Sequence, residues 1–199
     1  TYWENLVFTY IFSAYFKTFN HQSIYTGLNN GSTTGNSGQW TNGQTDTLLT
    51  HYGQLGTDMG YRFMHIENTI YGKQWLWGSG FIGDGTAGKY YISFDDVKSN
   101  INAQMDTYSN ADIIGTYNTA LSSSWITNMD IYGIPLTVGS SSSTGFYDGA
   151  WSTNSSKYYI SALGGSSSNS LYSGGFSRLI TNTPDYAFNN IRGKATLIR

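Results

Sequence analysis

The first sixteen residues, TYWENLVFTYIFSAYF, constrain the fold more than any other stretch. Trp3, Leu6, Val7, Tyr10, Ile11, Ala14 and Tyr15 recur at helical spacing, and Phe8, Phe12 and Phe16 form a second row four residues apart. The pattern predicts a helix from about Trp3 to Phe19 that is apolar nearly all round. Such a helix needs cover on two sides, from its own sheet and from another element or a neighbouring subunit. Asn5, Thr9 and Ser13 interrupt the run and Lys17 ends it, so it is too short and too polar to span a bilayer. Glu4 stands where a secretory signal would be basic, and no cleavage pattern follows. The lack of an initiating Met leads us to expect the C-terminal part of a longer polypeptide.

After the helix the pattern changes. Residues 27–44, rich in Gly, Asn, Ser and Thr, read as a loop. TDTLLTHYG reads as a short helix capped by Thr45 or Asp46 and stopped by Gly53. From Tyr61 onward come short strands, YRFMHIEN, KQWLWGSGF, KYYISF, YYISAL, GGFSRLI and KATLIR, each bounded by turn residues. Trp75 and Trp77 fall on one strand face and are expected in the core. Residues 98–130 read as mostly irregular. A helix followed by many short strands is an α+β arrangement, and 199 residues suit one domain over 1–199.

Composition narrows the function. Rings make up 17% of the chain, which argues against disorder, while only 11% is charged and the net charge is −2, which gives no attraction to nucleic acid or anionic lipid. Cysteine is absent, so disulfides and thiolate chemistry are excluded. GDGTAGKY at 83–90 imitates a phosphate loop, but Tyr90 replaces the magnesium-binding hydroxyl and a β-prone run follows instead of a helix. His21, His51 and His65 lack metal-ligand spacing, and no serine lies in a nucleophile elbow. Asp95 and Asp96 are adjacent and would point to opposite faces of a strand, so they read as solvated turn carboxylates. No catalytic residue, metal or cofactor is expected.

GYRFMHIENTIYGKQWLWGSGF, 60–81, resembles the YRGIEN-(F/Y)GN-W-W-(V/I)DG segment of C-type-lectin-fold proteins displayed on phage tails and diversified by retroelements. Tyr61, Arg62, Ile66, Glu67, Asn68, Tyr71, Gly72, Trp75 and Trp77 match. GKYYIS at 88–93, GIPLTVGSSSSTGFYDGAW at 133–151, and ALGGSSSNSLYSGGF with NNIRGKATLIR follow in the family's order, so the resemblance covers about 45–199. Phe63 and Met64 stand where one Gly is usual, Lys73 where Asn is common, and Gly78 replaces the usual residue before an aspartate-glycine turn. Formylglycine-generating enzymes share that fold but act through cysteine, which this chain lacks.

The resemblance implies a C-type-lectin-like fold with an N-terminal helix, short strands and long irregular loops. It implies a receptor-binding domain of a phage tail fibre or tail tip, located on the virion tail, that recognises a bacterial surface protein or glycan. Homotrimeric assembly and contact with other tail proteins go with it. A structural virion protein that assembles fibres or decorates a capsid is the alternative, while a calcium-dependent sugar lectin would need a carboxylate cluster that is absent from the sequence.

The Ser/Asn/Tyr bias of 147–190 matches the outcome of adenine-codon diversification, and such residues suit a binding surface. The expected contacts are Tyr147, Asp148, Trp151, Asn154, Tyr158, Ser166, Ser167, Ser168, Asn169, Tyr172, Tyr186 and Phe188, with 164–176 exposed and Leu163, Gly164, Gly165 and Ile191 as framework.

Overall fold

The computed structural model describes residues 2–25, 45–56, 60–67, 70–71, 75–84, 89–92, 113–116, 124–141, 145–152, 158–165, 172–182 and 191–192. Among the described residues a single α-helix, α1 (Tyr2–Phe16), precedes a 3-10 turn at His21–Ser23 and a series of strands. The architecture among the described residues is α+β.

Helix α1 stops three residues earlier than its apolar pattern predicts. Lys17 takes a left-handed φ of 55°, and the Thr18 N–H reaches back to the Ser13 carbonyl at 3.1 Å, which closes the last turn in a Schellman motif. The segment at Thr45 is a turn rather than a short helix. Glu67 explains the difference: its carboxylate accepts both the backbone N–H of Thr45, at 3.1 Å, and its hydroxyl, at 3.0 Å. The capping group is thus drawn to the sheet.

A small antiparallel sheet follows, β1 (Gly53–Gln54), β2 (Tyr61–Phe63) and β3 (Ile66–Glu67). Met64 and His65 form the β2–β3 turn with φ of 51° and 65°, the two left-handed residues that a tight hairpin of the right twist requires. Glycine's absence here is therefore tolerated at a strained position. The larger sheet contains β4 (Trp75–Asp84), β5 (Lys89–Ile92), β6 (Ile113–Thr116), β7 (Ser124–Met129), β8 (Pro135–Gly139), β9 (Gly149–Ser152), β10 (Tyr158–Leu163), β11 (Arg178–Asn182) and β12 (Ile191–Arg192). Its path is β6-β5-β4-β10-β11-β9-β7-β8, with β12 parallel to the start of β4. Strands β6 and β7 lie within 98–130, the segment read as mostly irregular, of which 98–112 and 117–123 lie outside the described residues. The described ends of the phosphate-loop look-alike, Gly83–Asp84 and Lys89–Tyr90, belong to the antiparallel pair β4 and β5, so a strand stands where a phosphate loop would start its helix. KATLIR and the side chains of Trp75 and Trp77 lie outside the described residues.

Two apolar clusters share α1. Tyr2 and Leu6 join Ile126, Ile134, Ala150, Leu163, Phe176 and Ile180 of the larger sheet and its loops, while Phe12 joins Phe63, Tyr61, Ile70 and Tyr71 beside the small one. The helix therefore ties the two sheets together. Between the clusters runs a buried polar stripe, Asn5, Thr9 and Ser13. Thr9 and Ser13 donate to the carbonyls four residues back, at 2.7 and 2.8 Å, which satisfies their hydroxyls within the helix.

The residues of the YRFMHIEN segment are framework. The Tyr61 hydroxyl accepts the N–H groups of Ile70 and Tyr71 at 3.0 and 3.1 Å, and Tyr71 donates to the carbonyl of Tyr25 at 2.7 Å. Arg62 donates to the Leu48 carbonyl at 2.9 Å, pinning the Thr45 turn.

Candidate functional site

Strands β7, β9 and β11 have two differently used faces. Ile126, Ala150 and Ile180 point toward α1, so by alternation Trp125, Gly149, Trp151 and Leu179 point the other way. The registers agree, since Trp125 pairs with Gly149 and Leu179 with Trp151. On this outer face Tyr172 stacks over Trp125, with ring centres 4.1 Å apart and planes 19° from parallel, and Trp151 lies 5.6 Å from Tyr172. Trp125 is covered, whereas Trp151 and Tyr172 are half-buried. Gly149 makes the arrangement possible. A Cβ there would come within 2.7 Å of both the Trp151 and Tyr172 rings.

Just before this strand, Tyr147 holds a left-handed φ of 58°. A bulky residue in that region is strained by about 1 to 2 kcal/mol, and such strain gathers at functional positions. Its side chain is half-buried.

Asp148 belongs elsewhere. It was expected among the surface contacts, but it is 1% exposed and faces the core opposite Ile126. Its Oδ2 accepts the Phe176 N–H at 2.7 Å, so it anchors the chain returning to β11. The expectation that 164–176 is exposed also needs correction. Gly164, Gly165 and 173–176 are buried, and the ends of the run are joined: the Gly164 N–H donates to the Ser177 carbonyl at 3.1 Å, and the Gly174 N–H to the Gly164 carbonyl at 3.2 Å. Gly164 and Gly165 have φ of 87° and 80°, and a side chain on Gly165 would strike Ser173. The serine run thus springs from a closed, glycine-dependent base. Ser166, Ser167, Ser168, Asn169, Asn154, Tyr186 and Phe188, and the side chain of Tyr158, lie outside the described residues.

Behind this base sits His21. Its Nδ1 accepts the Gly175 N–H at 2.9 Å, so the neutral ring carries its proton on Nε2 and donates it to Ser13 Oγ, 2.8 Å away. The pair cannot work as base and nucleophile, because the nitrogen facing the hydroxyl is already protonated and Ser13 donates onward to Thr9. It is a clamp between helix and loop. Arg178, also buried, donates to the carbonyls of Gly175 and Ser177 at 2.8 and 2.9 Å and lies 5.4 Å from the Tyr2 ring centre. His51 and His65, scattered in sequence, meet at the exposed edge of the small sheet. Among the described residues no group of three or more His, Cys, Asp or Glu is placed to hold a metal ion.

Two buried groups set the pH response. Burial pushes the Asp148 carboxyl up from 3.8 to about 8, against the pull of the Phe176 N–H and Arg178, and pushes the His21 imidazole down from 6.5 to about 3, with Arg178 adding to the effect. A raised carboxyl stabilises the fold fully below its unfolded value and loses that contribution as pH rises through its folded value. A lowered imidazole does the opposite, losing its contribution as pH falls below 6.5. Between pH 3.8 and 6.5 the two slopes oppose, so their joint contribution should stay level. Above that window Asp148 alone titrates, and stability should fall by about 2 kcal/mol between pH 6.5 and 8. Asp148→Asn keeps an acceptor for Phe176. Denaturant titrations across this range should show the variant without the alkaline fall and with stability rising from pH 4 to 6.5; parallel profiles for the two proteins would refute the assignment.

The chain matches no family model, no curated protein and no solved structure.

Proposed function

We propose that the chain is a non-enzymatic receptor-binding domain of C-type-lectin fold, carried on a phage tail fibre or tail tip, that attaches to a bacterial surface protein or glycan. The observation that carries this reading is the outer-face patch in which Tyr172 stacks on Trp125 and lies against Trp151 over an obligatory glycine, preceded by the strained Tyr147. Half-exposed rings held rigidly supply contact area at small entropic cost, and such anchors dominate binding energy. The closed base of the serine run supports it further, because a diversified loop needs a framework that does not depend on the loop's own residues. Tyr61, Arg62, Glu67 and Tyr71, which carry the family resemblance, serve that framework through hydrogen bonds. Repetition of weak contacts over several copies would give firm attachment. No cofactor enters this mechanism.

The test separates binding from folding. Tyr147→Gly removes the ring and relieves the left-handed strain, so stability should change by no more than about 1 kcal/mol. Binding of labelled chain to host cells should nevertheless weaken roughly thirtyfold, as loss of a 2 kcal/mol anchor does. Undiminished binding by Tyr147→Gly together with Trp151→Ala, both with native melts, would reject the role of this face.

A further inference from the structure

His51 and His65 stand 14 residues apart in sequence, a spacing that matches no metal motif, yet the small sheet brings their rings together. The pairing of Gly53 with Arg62 and of Gln54 with Tyr61, carried outward along the two strands, sets His51 beside the β2–β3 turn. The His65 N–H donates to the His51 carbonyl at 3.1 Å, so the two backbones are tied where both side chains leave them. The ring centres lie 4.2 Å apart with planes 76° to one another, and His51 Nδ1 faces His65 Nε2 in hydrogen-bonding contact. Both residues are exposed. His65 also holds its left-handed φ of 65° at a cost in backbone strain that glycine would avoid.

Two neutral imidazoles that face one another share a single proton between the facing nitrogens, so one lone pair is used and the other is replaced by an N–H. A metal ion takes both lone pairs at once. We propose that His51 Nδ1 and His65 Nε2 chelate one divalent transition-metal ion, of the zinc, nickel and copper class, at the exposed edge of the small sheet. Both rings are then neutral and carry their protons on His51 Nε2 and His65 Nδ1, so conversion from the neutral hydrogen-bonded pair changes a tautomer and releases no proton. Nitrogens about 2.0 to 2.1 Å from a tetrahedral ion stand roughly 3.3 Å apart, a separation that exposed rings reach by a small side-chain rotation. Imidazole suits these ions, whereas calcium and magnesium take oxygen ligands. Two protein ligands leave the remaining positions to water, so the ion exchanges readily, unlike one enclosed by four side chains. Once bound, it ties β1 to the β2–β3 turn beside the backbone bond already there. The inference does not depend on what the outer face of the larger sheet binds.

The chain without a purification tag suits the test, because it has no cysteine and its third histidine, His21, is fully buried. Calorimetric titration with nickel chloride should give one ion per chain, copper should bind more tightly than nickel, and calcium and magnesium should give no heat. Saturating nickel should raise the melt by several degrees, since an ion held only by the folded chain stabilises it. His51→Gln and His65→Gly should each weaken nickel binding about tenfold or more and abolish that rise. Both positions are exposed, and His65→Gly relieves strain, so neither variant should melt below wild type in the absence of metal. No binding by the wild-type chain at millimolar nickel, or undiminished binding by either variant, overturns the proposal. Calcium binding as strong as nickel binding would point to oxygen ligands and overturn it equally.

Discussion

Phe12→Ala is expected to lower stability by about 3 to 5 kcal/mol, the range for emptying a large aromatic site in a core that cannot collapse. Phe12 is fully buried, and its ring lies 4.6 Å from that of Phe16, 4.9 Å from Phe63 and 5.2 Å from His21, with Tyr25, Tyr61 and Tyr71 slightly farther. It is the point where α1, the small sheet and the His21 clamp meet, so a void there loosens three attachments at once. In a chain of this length the melt should drop by roughly 10 °C. Phe12→Leu, which keeps most of the volume, should cost less than half as much. Equal melts for Phe12→Ala and wild type would mean that the helix is not packed as described.

Gly174→Ala should be comparably damaging, though it adds only a methyl group. The added Cβ would sit 1.8 Å from Asp148 Oδ1, so either the backbone or the buried carboxyl must move. Overpacking and loss of the buried bond from Phe176 to Asp148 together suggest about 3 to 5 kcal/mol. The cause can be isolated by a double-mutant cycle. Gly174→Ala made in an Asp148→Ala background meets no carboxyl and should cost much less, giving a coupling energy of about 2 kcal/mol or more. Additive effects would show that Gly174 is needed for some reason other than its approach to Asp148.

What could be read from the sequence followed local periodicity. The helix was legible because its apolar residues recur every three to four positions, and β4, β5 and β10 because β-prone runs lie between turn residues. Which side of α1 faces inward was not legible. Thr9 and Ser13 bury their hydroxyls by bonding within the helix and to His21, while Val7 and Ile11 stay outside, which reverses the hydropathy rule. The Thr45 turn was misread because its capping hydroxyl is claimed by Glu67, a residue of another element.

At the candidate site, Trp151 and Tyr172 are among the contacts that the family resemblance implies, but Trp125, stacked on Tyr172, was missed. In β7 the neighbours Trp125 and Ile126 are both covered, on opposite faces, so the strand lacks the apolar-polar alternation that would have announced it. The available signal was the Asp130–Gly133 turn: Asp130 Oδ1 accepts the N–H groups of Tyr132 and Ile134, both at 2.9 Å, and fixes the β7–β8 hairpin. Asp148 was misassigned for the converse reason. A carboxylate among Gly, Ser and Tyr looks solvent-facing, and only the return of the chain through Phe176 shows that it is enclosed.

The most direct measurement of the receptor-binding reading is competition. Host cells are saturated with the purified chain and then exposed to the virion proposed to carry it. Wild-type chain should reduce virion adsorption in proportion to the sites it occupies. The Tyr147→Gly/Trp151→Ala variant, with a native melt, should fail to compete at the same concentration, because it lacks the rings proposed to hold the receptor. Adsorption unaffected by saturating wild-type chain, or reduced equally by the variant, would contradict the claim that this face of the sheet attaches the protein to its host.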